Sequence, residues 1–76
     1  MDTNRVIGEF GLMIQKKRLK LNISQEDLAF KCGLDRTYIS GIERGKRNPS
    51  LKNILKITEA LNLQFDYLFK YKSNDS

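Results

Sequence analysis

Between Ser24 and Gly45 the chain sets two helix-length segments on either side of Gly33-Leu34-Asp35, which leaves room only for a tight turn. Ser24 suits a helix N-cap, since its hydroxyl can accept from an unpaired amide of the first turn, and Asp27 three residues on completes a capping box. Leu28 and Ala29 then face inward. Gly33 ends the first segment because it enters the left-handed region without a steric penalty. Asp35 is expected to cap the second segment, Ile39 and Ile42 to point to the core, and Gly45 to stop it. Arg36, Thr37, Tyr38, Ser40 and Arg44 are then left for solvent or for a ligand.

The flanking sequence is helical too. Residues 1 to about 4 read as a frayed start, and Ile7, Phe10, Ile14 and Leu21 keep a helical period up to Asn22, a candidate left-handed C-cap. Gly11 inside that helix suggests close packing against a neighbour. Lys46 to Pro49 form a loop, Ser50 caps the next helix, and Leu51, Ile54, Leu55, Thr58 and Leu61 are expected as its inward stripe. Asn62 breaks it. Gln64 to about Phe69 form a last short helix, and 70–76 a flexible polar tail. No strand pattern or internal repeat is present, so the expectation is an all-α fold of five helices with one domain over 1–69.

Seventy-six residues permit one modest core. No apolar run approaches the roughly 20 residues of a membrane span, and no signal peptide is visible, so the expected location is the cytoplasm. The chain has no histidine, no paired carboxylates on one face, no phosphate-cradling glycine loop and no metal-ligand spacing. Cys32 is alone and reads as a small buried residue. The expectation is therefore a non-enzyme without cofactor, metal or small-molecule ligand.

The formal charge of +5 favours an anionic partner, and its distribution sharpens the point. Arg44, Lys46, Arg47, Lys52 and Lys56 follow one another without an acid, and Lys16, Lys17, Arg18 and Lys20 make a second cluster. Two basic runs flanking a helix-turn-helix point to phosphate.

The segments Ile14-x-x-x-Arg18, Ser24-Gln25-Glu26-Asp27-Leu28-Ala29, Gly33-Leu34, Tyr38-Ile39-Ser40-Gly41-Ile42-Glu43-Arg44-Gly45 and Pro49-Ser50-Leu51 resemble the lambda-repressor-like, Cro and phage-repressor family of helix-turn-helix proteins. The run from Leu34 to Arg44 looks most like the controller proteins of restriction–modification systems. The resemblance implies that Arg36, Thr37 and Ser40 touch base edges. Arginine suits guanine O6 and N7, and the threonine methyl suits a thymine methyl, although Arg36 can instead pair with phosphate. It implies backbone contacts for Gln25, Tyr38, Arg44, Lys46, Arg47, Asn48 and Lys52. It also implies a structural salt bridge between Arg18 and Glu43, with Arg18 able to reach phosphate as well.

One recognition helix reads too few base pairs for a genome, and relatives of this type act as two-fold dimers on palindromic operators. Leu63, Phe65, Tyr67, Leu68 and Phe69 are the candidate dimer interface, more apolar surface than so small a chain can bury alone. As a controller the chain is expected to bind double-stranded operator DNA as a homodimer, to meet RNA polymerase, and to autoregulate its operon. A Cro-type repressor, an antitoxin, or a protein-interaction module without specific DNA binding remain the alternatives.

Overall fold

The computed structural model describes residues 2–63. Four helices follow in chain order: α1 (Thr3–Lys20), α2 (Gln25–Cys32), α3 (Arg36–Glu43) and α4 (Leu51–Ala60), with no strand among the described residues. The expected fifth helix and the polar tail lie outside them.

The N-terminal fraying expected up to residue 4 gives way to helix from Thr3 onward. The Asp2 carboxylate accepts from the backbone amides of Asn4 at 3.0 Å and Arg5 at 3.4 Å, so an N-cap replaces the missing intrahelical partners. At α2 the capping box forms in both directions, with Ser24 Oγ accepting from the Asp27 amide at 2.9 Å and Asp27 accepting from the Ser24 amide at 3.1 Å. Asp35 stands at the start of α3 with an extended backbone, but its side chain makes no capping bond. What it supplies there is the main-chain carbonyl that accepts from Ile39 at 3.1 Å.

All four helices end in the same way. Asn22, Gly33, Gly45 and Asn62 take left-handed φ values of 60°, 69°, 73° and 59°. Each time the following amide reaches back five residues: Ile23 to Arg18, Leu34 to Ala29, Lys46 to Gly41 and Leu63 to Thr58. This Schellman pairing satisfies carbonyls that the helix end would otherwise leave open.

Ile14, Leu28, Ala29, Cys32, Ile39, Ile42, Ile57 and Leu61 form the core, with α3 packed on both α1 and α2, and α4 on α2. The six largest of these side chains are fully buried, each contributing about 1.5–3 kcal/mol through removal from water. At Gly11 a side chain would collide with the carbonyl oxygens of Ile42 and Glu43, so α1 crosses the end of α3 at backbone contact.

The expected inward stripe of α4 is corrected. Leu51 is 62% exposed and Leu55 43%, whereas Ile57, left out of that stripe, is fully buried. The inward set is Ile54, Ile57, Thr58 and Leu61, spaced i, i+3, i+4, i+7. Leu51 and Leu55 sit about 60° and 100° round from Ile54, on its flank.

Candidate nucleic-acid interface

α3 is short, and only one side of it is spent on the core. Ile39 and Ile42 are buried, while Arg36, Thr37 and Arg44 are exposed and Ser40 is half-buried. Arg36 and Thr37 open the helix directly after the turn, where nothing from the described chain covers them. Arg44 Nε donates to the Ser40 carbonyl at 3.3 Å, which lays its side chain back along the helix end. Lys46, Arg47, Asn48 and Lys52 are all exposed on the loop and the first turn of α4.

Electrostatically this region carries one sign. From Arg36 to Lys56 the only acid is Glu43, and it is 3% exposed. Arg18 Nε donates to Glu43 Oε2 at 2.7 Å and Arg18 Nη2 to Oε1 at 3.0 Å, a two-pronged pairing of guanidinium and carboxylate. Arg18 Nη1 donates to the Ile23 carbonyl at 2.9 Å, and Gln25 Nε2 to Glu43 Oε1 at 3.0 Å. The hydrogen bond from the guanidinium to Glu43 holds the Arg18 pKa above its ordinary value. Arg18 is thereby removed from the basic cluster in which the sequence placed it; Lys16 and Lys20 are exposed and Lys17 half-buried.

Gln25 begins α2 and is half-buried against Glu43, with Glu26 and Asp27 exposed beside it. Tyr38 is half-buried at the edge of the α3 surface. Two residues given no role by the sequence act on it or beside it. Asn53 Nδ2 donates to Tyr38 Oη at 3.0 Å, and Gly41 gives the stem of Arg47 a place to lie. Gly41 had left a signal, since a glycine inside an eight-residue helix weakens it and calls for a packing reason. Asn53 had left almost none. Of the candidate dimer residues, Leu63 is half-buried against the core, and Phe65, Tyr67, Leu68 and Phe69 lie outside the described residues.

Cys32 is buried, and burial pushes its thiol pKa up, as for an inert core cysteine. No group of metal-binding side chains occurs among the described residues. No described helix is long and apolar enough to cross a membrane.

Two short helices joined by Gly33-Leu34-Asp35, the second with an uncovered basic face, make a helix-turn-helix unit. The helix-turn-helix family profile matches residues 14–68. The control protein C.BamHI of Bacillus amyloliquefaciens is 57% identical over 63 residues, covering 82% of this chain and 78% of its own. Among solved structures, the restriction–modification controller protein C.AhdI from Aeromonas hydrophila matches at a TM-score of 0.77 and 47% identity, over 79% of this chain and 91% of that one. The controller protein C.Esp1396I, solved as a tetramer with its natural 35 base-pair operator, matches at 0.79 and 38%, over 93% and 91%. This chain belongs to the helix-turn-helix family of restriction–modification controller proteins. The family consists of transcription regulators and not enzymes.

Proposed function

We propose that this protein binds a palindromic operator as a homodimer and controls the genes of a restriction–modification system, its own among them. The observation that carries this reading is the uncovered side of α3 and the loop after it, where from Arg36 to Lys56 the single carboxylate, Glu43, is neutralised below the surface by Arg18. A helix of this kind fits the major groove of B-DNA, with its first turn toward the bases.

In this reading Arg36 and Thr37 meet base edges and Ser40 stands next in line. Tyr38, Arg44, Lys46, Arg47, Asn48 and Lys52 contact the sugar–phosphate backbone and fix the register. Gln25 spends one amide hydrogen on Glu43 and offers the other to a phosphate at the start of α2. Two copies bring two α3 helices about 34 Å apart, in successive major grooves. Leu63 and residues 65, 67, 68 and 69 supply the two-fold contact.

Autoregulation supplies the physiological logic. Low occupancy of paired operator sites recruits RNA polymerase in the cytoplasm and activates, while high occupancy represses, so that endonuclease expression lags methylation. That relatives of this chain have been solved on operator DNA supports the binding step. The test is selection of binding sites from random duplex DNA at near-physiological salt. Recovery of a palindrome with half-sites about one helical turn apart is expected. Weak, salt-sensitive binding with no enriched sequence would rule the reading out.

A further inference from the structure

Beyond α3 the Arg47 side chain returns to the helix at Gly41. A Cβ built on Gly41 would lie 2.6 Å from Arg47 Cγ and 3.4 Å from Arg47 Nε, so the arginine stem rests on bare glycine backbone. The Arg47 guanidinium carbon is 5.9 Å from the centre of the Tyr38 ring, within range for a cation–π contact. Tyr38 is also tied at its hydroxyl, where Asn53 Nδ2 donates to the oxygen at 3.0 Å. The backbone amide of Asn53 donates to Ser50 Oγ at 3.2 Å, so the N-cap of α4 sets the position of this anchor.

We propose that Asn53 and Gly41 are positioning residues for a phosphate-binding pair formed by Tyr38 and Arg47. The proposal rests on the DNA-binding reading above and deepens it. The phenol oxygen uses one lone pair to accept from Asn53, which leaves its O–H directed elsewhere as a donor. A phosphate oxygen accepts from it and from the Arg47 guanidinium together, since a hydroxyl and a guanidinium both present only hydrogens to that partner. Holding the ring by Asn53 and seating the arginine stem on Gly41 removes rotamer freedom before DNA arrives, so less is lost on binding. Asn53 acts through the phenol and Gly41 through Arg47. Because phosphate carries no sequence, both tune affinity on every duplex alike and leave base preference untouched.

The test is a double-mutant cycle on DNA binding, using Tyr38→Phe, Asn53→Ala and the double variant, with Gly41→Ala measured alongside. Each is titrated against the selected operator and against a random-sequence duplex over a range of salt. Asn53→Ala is expected to weaken binding about tenfold on both duplexes, the worth of one hydrogen bond to a charged group. In the Tyr38→Phe background it is expected to add less than about twofold, because its route of action is already gone. Gly41→Ala is expected to lower the salt slope by about 1, as loss of one phosphate contact does. An Asn53→Ala effect that stays full in the Tyr38→Phe background overturns the positioning role, and so does altered base preference. If Gly41→Ala fails to fold, the Asn53 cycle decides alone. Failure of the wild-type protein to select any site overturns the DNA-binding reading itself, a result the cycle cannot mimic.

Discussion

Arg18 and Glu43, separated by 25 residues in the chain, are joined by two hydrogen bonds of 2.7 and 3.0 Å in the interior, where their side chains are 9% and 1% exposed. The pair does more than join α1 to the end of α3. Arg18 also binds the Ile23 carbonyl ahead of α2, and Glu43 also accepts from Gln25 at the start of α2, so three helices meet at one carboxylate. No buried side-chain polar atom among the described residues is left without a partner. Glu43→Gln keeps the shape but leaves a buried guanidinium with no counter-charge, and is expected to cost about 3 kcal/mol. Urea unfolding checks this: the midpoint falls while the slope stays the same. If stability is unchanged and Arg18→Ala abolishes DNA binding, the pair is not structural and Arg18 serves phosphate.

The same corner of the fold depends on Gly11. A methyl group there meets the carbonyl oxygens of Ile42 and Glu43, and neither can turn aside as a flexible side chain would. Gly11→Ala is therefore expected to destabilise by about 1–3 kcal/mol even though alanine favours helix. Gly8 provides the control, because a Cβ there meets nothing within 4 Å. Gly8→Ala is expected to stabilise by about 1 kcal/mol. Thermal unfolding of the two variants should move in opposite directions, and a rise for both would mean that helix propensity, not the crossing, governs this helix.

Much of this architecture was legible in the sequence because local chemistry agreed with the packing. Ser24, Asp27, Gly33 and Gly45 announced the ends of their helices through caps that depend only on neighbouring residues. Ile39 and Ile42 announced the buried side of α3. The sequence was less decisive in α4, where six of ten residues from Leu51 to Ala60 are apolar or threonine and two overlapping stripes both fit the period. Which stripe turned inward depended on how α4 meets α2, a tertiary choice that spacing alone does not record. For the same reason the Asn53–Tyr38 bond was illegible: the partners stand fifteen positions apart, beyond the reach of any local spacing rule. The corrected stripe has a direct consequence. Ile57→Ala is expected to cost about 2–5 kcal/mol, whereas Phe30→Ser, on a side chain 89% exposed, should stay within about 0.5 kcal/mol. An Ile57→Ala loss as small as that of Phe30→Ser in chemical denaturation would return α4 to the stripe first expected.

Asp27 gives the α2 capping box a pH dependence. The bond from the Ser24 backbone amide, and then that from the Ser24 hydroxyl, hold its carboxyl below the usual carboxylate range. A group depressed in the folded state binds its proton more tightly when unfolded, so its stabilisation is present above the ordinary carboxylate pKa and is lost as pH falls through the folded value. The helix-start contribution is thus expected to be complete at neutral pH and to fade below about pH 4. Carboxyl NMR titration should place Asp27 below the usual carboxylate range, and Ser24→Ala should raise it. A titration that ignores Ser24→Ala would exclude the hydroxyl and leave the backbone amide as the cause.

Sequence readout and charge attraction separate experimentally at α3. Arg36 stands at the exposed start of the helix, and no hydrogen bond or ion pair of the described chain engages its side chain, so its guanidinium is available for a guanine edge. Arg36→Ala is expected to cost about 1–3 kcal/mol on the cognate site and to relax preference at one position of each half-site. Lys52→Ala, by contrast, is expected to weaken binding evenly across sequences and to reduce the salt slope by about 1. Site selection repeated with each variant distinguishes them: the Arg36→Ala consensus loses one position, and the Lys52→Ala consensus is that of the wild type. A uniform loss for Arg36→Ala would assign its guanidinium to phosphate, and would shift the burden of readout to Thr37 and Ser40.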